Sequence, residues 1–285
     1  MTGAVGLLFT YAGVNAATLA RADQAERLGV PVVWDSGAWS VHTRGAHVDP
    51  REHAAWVAKR QANGSTARYI ALDIIGDHDG TARQHAKQQA LGAIVEPTIH
   101  YGASIDHLDA FDVRTEWVNI GGLAGMTRGH APIRARGWAE PIVDKARASG
   151  ARVHGLGATH PILTKRIAWS GVDSTFWMSA ARFGLLPLFD DKTGGWRRIH
   201  YRTRTRSTRA KGWRAMYENG RWLRDVYAIT PDELDRASND RVRDLSVESH
   251  RRYAQHLARR HQQAVIVYLA GGNGVPVDVI EALAA

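Results

Sequence analysis

Two short stretches of this chain end an apolar run in a carboxylate followed by small polar residues. The first is Val32-Val33-Trp34-Asp35-Ser36-Gly37 and the second is Ser170-Gly171-Val172-Asp173-Ser174-Thr175, approached through Ile167-Ala168-Trp169. Apolar runs of this length stopped by such clusters read as buried strands, so Asp35 and Asp173 each stand where a strand gives way to a loop. Two carboxylates delivered to one rim are the minimal equipment for breaking and remaking a glycosidic bond, one as nucleophile and one as acid/base. A strand-ending Asp is equally a common helix N-cap, so each residue alone also has a structural reading.

Further polar residues fall at the same kind of place: Asp73, His100, the Gly121-Gly122 pair and His154. Three carboxylates on one rim are costly unless they bind a metal, share a proton or meet a ligand rich in donors. Asp73, Asp77, His78, His100 and His154 include ligand types that suit a metal, but they show no defined ligand spacing and no helical His pair four apart, and no metal is expected. His250, His256 and His261 are not three or four apart, so they cannot share one ion and read as solvated positions on a charged helix.

The elements that must position these residues alternate. Apolar strands are predicted at Val5–Phe9, Pro31–Asp35, Tyr69–Gly76, Ile94–His100, Trp117–Gly122, Arg152–Gly157 and at the approach to Asp173, with an eighth at Leu185–Phe189. Helices are predicted between them at Asn15–Leu28, Pro50–Ala62, Gly80–Leu91 and Ala131–Ala148, with Asp49 as an N-cap and Gly29 and Gly150 as stops. Eight nearly all-apolar strands alternating with helices call for a parallel sheet closed as a (β/α)8 TIM barrel, whose strand C-termini build the active site. A doubly wound open sheet would need a glycine fingerprint after the first strand, and Thr10-Tyr11-Ala12-Gly13-Val14 does not supply it. The expected organisation is a catalytic barrel over residues 1–189, with some helices trimmed, and a basic, partly helical nucleic-acid-binding extension over 190–285.

Composition supports one large α/β domain with an appendage: 285 residues, 44% of them hydrophobic, with 28 Gly. The absence of cysteine excludes disulfides, thiolate zinc sites and cysteine nucleophiles, and suits a reducing cytoplasm. Met1–Thr10 lacks a basic leader region and no uninterrupted apolar run approaches ~18 residues, so neither a signal peptide nor a membrane span is expected. The net charge of +9 is concentrated late. Residues 1–185 hold 19 Lys and Arg against 16 Asp and Glu, leaving 18 against 12 for the last hundred. Between Lys192 and Arg214 there are nine basic residues and no acid, interleaved with Trp196, Tyr201 and Trp213. Arg202, Arg204 and Arg206 alternate with Thr203, Thr205 and Ser207, which in an extended strand puts three guanidiniums on one face, a face suited to phosphates or else a charged edge that prevents aggregation. Pro231–His261 reads as a charged helix, Ala264–Ala270 as an apolar run of uncertain type and Pro276–Ala285 as a closing helix.

Seven blocks in order resemble a known family. They are Asp35-Ser36-Gly37-Ala38-Trp39-Ser40, Leu72-Asp73-Ile74-Ile75-Gly76-Asp77, His100-Tyr101-Gly102, Gly121-Gly122-Leu123-Ala124-Gly125, His154-Gly155-Leu156-Gly157, Gly171-Val172-Asp173-Ser174-Thr175 and Ala181-Arg182-Phe183-Gly184. Together they resemble the tRNA-guanine transglycosylases, and more closely their phage and bacterial relatives that insert 7-deazaguanines into DNA. The resemblance implies that Asp173 is the nucleophile on C1′ of a guanosine, forming a covalent glycosyl-enzyme, and that Asp35 is the acid/base for the outgoing and incoming bases. It places Asp73 on the guanine Watson–Crick edge, Trp39 stacked on the base, and Gly121, Gly122 and Leu123 at the base through backbone groups. Simpler readings are that the glycines form only a tight turn and that Trp39 is core.

The departures from the family also carry meaning. His100 stands where tRNA enzymes use glutamine against the base, and His154 where they have methionine beneath it. Family members acting on tRNA carry a zinc site of three cysteines and a histidine, which a chain without cysteine cannot build. With the basic extension, this favours DNA as partner and a free 7-deazaguanine as co-substrate, with no cofactor and no membrane. Arg182, Arg202, Arg204, Arg206 and Arg209 are the candidates for holding the nucleic-acid backbone while a nucleotide is taken out of the stack. Alternatives are the same exchange on tRNA, a metal-dependent or glycosidic hydrolase on a small substrate, and a nucleic-acid-binding protein with an inactive barrel. The implied setting is the cytoplasm of a bacterium or phage-infected cell.

Overall fold

In a computed structural model, residues 2–111, 115–126, 129–158, 160–179, 183–201, 216–271 and 275–285 are described. Eight parallel strands form one curled sheet: β1 (Gly3–Thr10), β2 (Val32–Asp35), β3 (Arg68–Tyr69), β4 (Thr98–His100), β5 (Trp117–Gly121), β6 (Arg152–Gly155), β7 (Gly171–Ser174) and β10 (Val265–Ala270). Their order is β3-β2-β1-β10-β7-β6-β5-β4. The outermost strands approach each other at an isolated parallel bridge between Ile70 and Glu96. There the Ala71 N–H donates to the Glu96 carbonyl (2.9 Å) and the Glu96 N–H to that of Tyr69 (2.8 Å). The architecture is a mixed α/β fold compatible with a TIM-like arrangement.

Alternation along the strands separates two apolar faces. Leu7, Phe9, Val32, Trp34, Val267 and Leu269 join the large core shared with the helices. Leu8, Val33, Ile70, Tyr268 and Ala270, their neighbours in sequence, form a smaller cluster on the opposite, inner face. Because Asp35 is two residues beyond Val33, and Asp173 is in register with Tyr268, both carboxylates belong to that inner face.

Local chemistry sets most helix starts. Asn15 caps α1 (Ala16–Arg27), Asp49 caps α3 (Pro50–Ala62) with Pro50 in its first turn, and Asp77 caps α4 (His78–Ala90) by accepting from the Gly80 N–H at 2.7 Å. A short helix not expected from the sequence, α2 (Ala38–Arg44), follows β2 directly. Helices α5 (Ala131–Ala148) and α6 (Pro161–Thr164) complete the connections up to β7.

The expected eighth strand is corrected. Leu185–Phe189 lies in β8 (Leu185–Asp190), which pairs antiparallel with β9 (Gly195–His200) in a separate hairpin. Asp190 organises the turn: its carbonyl accepts from the Gly194 N–H (2.8 Å) and its carboxylate is clasped by Arg197 (2.7 Å). The eighth strand of the sheet is instead β10, which enters between β1 and β7. Its Val-Ile-Val-Tyr-Leu-Ala run is the continuous apolar sequence that a strand buried on both faces needs. The chain after residue 190 therefore supplies the sheet as well as an appendage, so the expected boundary at 189 does not follow the sheet.

Between β7 and the last strand, Leu186, Leu188, Ile199, Leu223, Tyr227 and Leu234 help to build a second apolar core. Helices α7 (Gly220–Tyr227) and α8 (Pro231–Arg236) belong to it, and α9 (Asn239–His261) runs from this core to the main one. The single helix expected over 231–261 is broken at Ala237-Ser238, where Ser238 caps the second piece. His250, expected in solvent, is buried, and its Nδ1 lies 2.7 Å from the Ser246 carbonyl. Helix α10 (Val277–Ala284) closes the chain. Among the described residues no helix is long and apolar enough to cross a membrane.

Candidate active site

Asp35 is the last residue of β2, and the chain turns sharply after it. Gly37 has φ +90°, and a Cβ there would lie 2.3 Å from the Ala12 Cβ, so both conformation and space demand glycine. The turn lets the Gly37 N–H donate to Asp35 Oδ2 at 3.2 Å. Burial, then the charge of Asp73, then that of Asp173 push the Asp35 carboxyl up to about 7, against the Gly37 bond. The neighbouring charges of Asp73 and Asp173 both raise it, and Asp35 and Asp173 lie on the same inner face of the sheet. Beside Asp35, the Ser36 hydroxyl is buried without a partner among the described residues.

Asp73 follows the bridged segment at Ile70, and its Oδ2 meets His100 Nε2 at the end of β4. The neighbouring strand leaves room for that ring, because a Cβ at Gly121 would lie 2.9 Å from His100 Nδ1. The Gly121 carbonyl accepts from the Tyr101 N–H (3.0 Å) and that of Leu123 from Met126 (3.1 Å), so these two carbonyls are engaged inside the protein. The Leu123 side chain is core, whereas Gly122 stands exposed in a turn with φ +75°.

Asp173, on β7, accepts at Oδ1 from the Gly157 N–H (3.0 Å) and faces His154 Nε2 (3.1 Å). His154 has no exposed surface and is held by burial below its ordinary pKa, against the pull of Asp173. The resemblance placed His154 beneath a base, and its contact here is the carboxylate of Asp173.

Below this rim lies a polar layer that the sequence did not reveal. Arg68 is paired with Glu96 (2.6 Å), donates to the Tyr268 hydroxyl (3.0 Å) and lies 3.5 Å from the centre of the Trp117 ring. Asn119 Nδ2 donates to Glu96 Oε2 (3.0 Å), and Tyr268 stacks on His154 with ring centres 5.1 Å apart. The available signal was the period-2 placement of Tyr268 between Ile266 and Ala270, which identifies a face but not a partner.

Trp39 sits on α2 at 58% exposure, which rules out the core reading, and Phe183 is 72% exposed. Arg182, Arg202, Arg204, Arg206 and Arg209 lie outside the described residues. Of the other metal-ligand candidates, Asp77 serves as a helix cap and the His78 ring lies 5.4 Å from that of His107. No group of three His, Asp or Glu able to hold a metal is found among the described residues.

The arrangement is chemically specific. One carboxyl is raised towards neutrality by burial and its acidic neighbours, a second has one oxygen held by the Gly157 N–H and facing His154 with the other without a described partner, and a third is joined to an imidazole. This combination can donate a proton, attack a carbon and accept hydrogen bonds from a flat heterocycle. No family model matches the chain, and no curated protein matches it.

Proposed function

We propose that the protein is a DNA-guanine transglycosylase working on a (β/α)8 barrel, a reading of the curled sheet that the short Ile70–Glu96 pairing supports. The observation that carries the proposal is that Asp35 and Asp173 stand on parallel strands at one inner face of the sheet, with Asp73 and Asp173 helping to raise the Asp35 carboxyl to about 7. Asp173 attacks C1′ of a deoxyguanosine, and the C1′–N9 electron pair leaves with guanine, which takes the Asp35 proton. A 7-deazaguanine then gives its N9 proton to the Asp35 carboxylate and bonds to C1′, and Asp173 is released as the anion. Atoms and charge balance, and Asp35 ends protonated as it began. A group that titrates at about 7 serves both half-reactions at neutral pH.

Asp73 receives the donors of the base edge, and the exposed Trp39 offers a stacking surface. The arginine-rich run of 202–209 and the lack of any cysteine support DNA over tRNA. The test is incubation with guanine-containing duplex and 7-cyano-7-deazaguanine, followed by digestion to nucleosides and mass spectrometry, with tRNA in parallel. Modified deoxynucleoside with equimolar released guanine is expected. Labelling of tRNA alone would reassign the polymer, and labelling of neither would remove the proposal.

A further inference from the structure

The geometry points to His154 as a positioning residue that, as a neutral Nε2-protonated ring, holds Oδ1 of Asp173 so that Oδ2 is the attacking atom. This rests on the transglycosylase reading for what is attacked, while the claim about the ring stands on its own contacts. Asp173 Oδ1 meets two donors, the Gly157 N–H at 3.0 Å and His154 Nε2 at 3.1 Å, and no described residue engages Oδ2. An oxygen already satisfied twice is the poorer nucleophile, which leaves its partner to form the bond to C1′.

The tautomer follows from accounting for both ring nitrogens. Nδ1 is buried without a partner among the described residues. With the proton on Nδ1, a buried N–H would go unsatisfied and the Nε2 lone pair would face a carboxylate oxygen. With the proton on Nε2, a hydrogen bond to Asp173 forms and only a lone pair is orphaned, which is much the cheaper arrangement. The charged form is opposed by complete burial and by the Arg68 guanidinium, while Asp173 and Glu96 favour it.

The ring is also held in place. Tyr268 stacks on it at an interplanar angle of 28°, and the Tyr268 hydroxyl is fixed by Arg68 (3.0 Å), itself clamped by Glu96. Space for this stack depends on Gly6, where a Cβ would lie 2.8 Å from the Tyr268 ring. The arrangement serves both halves of an exchange. Two donors on Oδ1 fix the carboxylate for attack, and the same donors stabilise it when the incoming base displaces it.

The experiment uses full-length protein labelled with 15N-histidine, the His154 signal being identified by its loss in His154→Gln. At pH 7 a pyrrole-type Nε2 and a pyridine-type Nδ1 are expected; a protonated Nδ1 or a charged ring overturns the inference. In parallel, His154→Phe keeps an aromatic ring but no donor, and should lower kcat for base exchange by roughly ten- to a hundredfold, the value of one hydrogen bond to a charged group, with KM nearly unchanged. His154→Gln, whose amide can donate, should recover part of that activity. Wild-type kcat in His154→Phe would refute the positioning role. If that variant does not fold, the 15N spectrum of the wild-type protein decides alone. If the spectrum is as expected but wild-type protein exchanges no base, the transglycosylase reading fails and the ring's state stands.

Discussion

Replacing Asp35 by Asn should stabilise the protein at alkaline pH while removing the proposed base exchange. Asp35 is raised from an ordinary 3.8 to about 7, with burial as the first cause and the Asp73 and Asp173 charges next. In the window between these values the folded state binds more protons than the unfolded state, so this group's contribution is fully present below 3.8 and is lost as pH rises through 7. From pH 5 to the folded value is about two pK units, or roughly 3 kcal/mol at about 1.4 kcal/mol per unit. Asp35 keeps some contact with solvent. Screening therefore brings the expected difference to about 1–2 kcal/mol. Asn at this position mimics the protonated acid and can still accept from the Gly37 N–H. Urea denaturation of both proteins at pH 5 and pH 8 reads the effect as the change in their stability difference, with equal m-values as the check on two-state behaviour. Asp73→Asn should narrow the window more than Asp173→Asn, since Asp73 is the larger electrostatic cause. A stability difference that stays constant across the two pH values, or an Asp35→Asn protein that loses ground at pH 8, would refute the argument that these carboxylates share one poorly solvated space.

Other consequences follow from named contacts. His250 is held down to about 4 by burial, so the unfolded state takes up its proton first as pH falls; roughly 3 kcal/mol of stability should be lost between pH 6.5 and 4, and His250→Leu should flatten that slope in denaturant melts. Gly37→Ala should cost about 1–3 kcal/mol, because it combines a positive φ with a collision against Ala12, and circular dichroism melts should show it. Trp39→Ala should change stability by less than about 0.5 kcal/mol yet weaken binding of a guanine oligonucleotide by about 1 kcal/mol or more, read by fluorescence anisotropy. Replacing Arg202, Arg204, Arg206 and Arg209 with Ala should reduce the slope of log affinity against log salt by ~0.9 for each phosphate of duplex DNA that is no longer neutralised.

Much of the arrangement was legible because parallel strands buried on both faces must be apolar, and the carboxylates stand out where the apolar runs stop. The placement of Asp35 at the end of β2 and of Asp173 near the end of β7 was readable on that ground, whereas Asp73 lies between apolar neighbours and beyond the short β3. The last strand was not, because Leu185–Phe189 and Val265–Ala270 are equally apolar and chain order favours the wrong one. The distinguishing feature was the Asp190–Gly194 turn, which folds the first of them into a hairpin. His250 was misread because its helix is charged overall, while burial is decided position by position around the helix axis. The layer of Arg68, Glu96, Asn119 and Tyr268 could not be read at all. Its members come from four strands and their approaches, and nothing in their spacing shows that they meet.

The proposed exchange requires Asp173 to form a covalent bond to a sugar carbon within reach of Asp35. Mass spectrometry of the intact protein after mixing with a short guanine-containing DNA oligonucleotide tests it most directly. A mass increase equal to the oligonucleotide less one guanine, located by digestion to the peptide holding Gly171–Ser174 and absent in Asp173→Asn, is the predicted result. An unmodified wild-type mass alongside intact oligonucleotide, or an adduct that persists in Asp173→Asn, would contradict it.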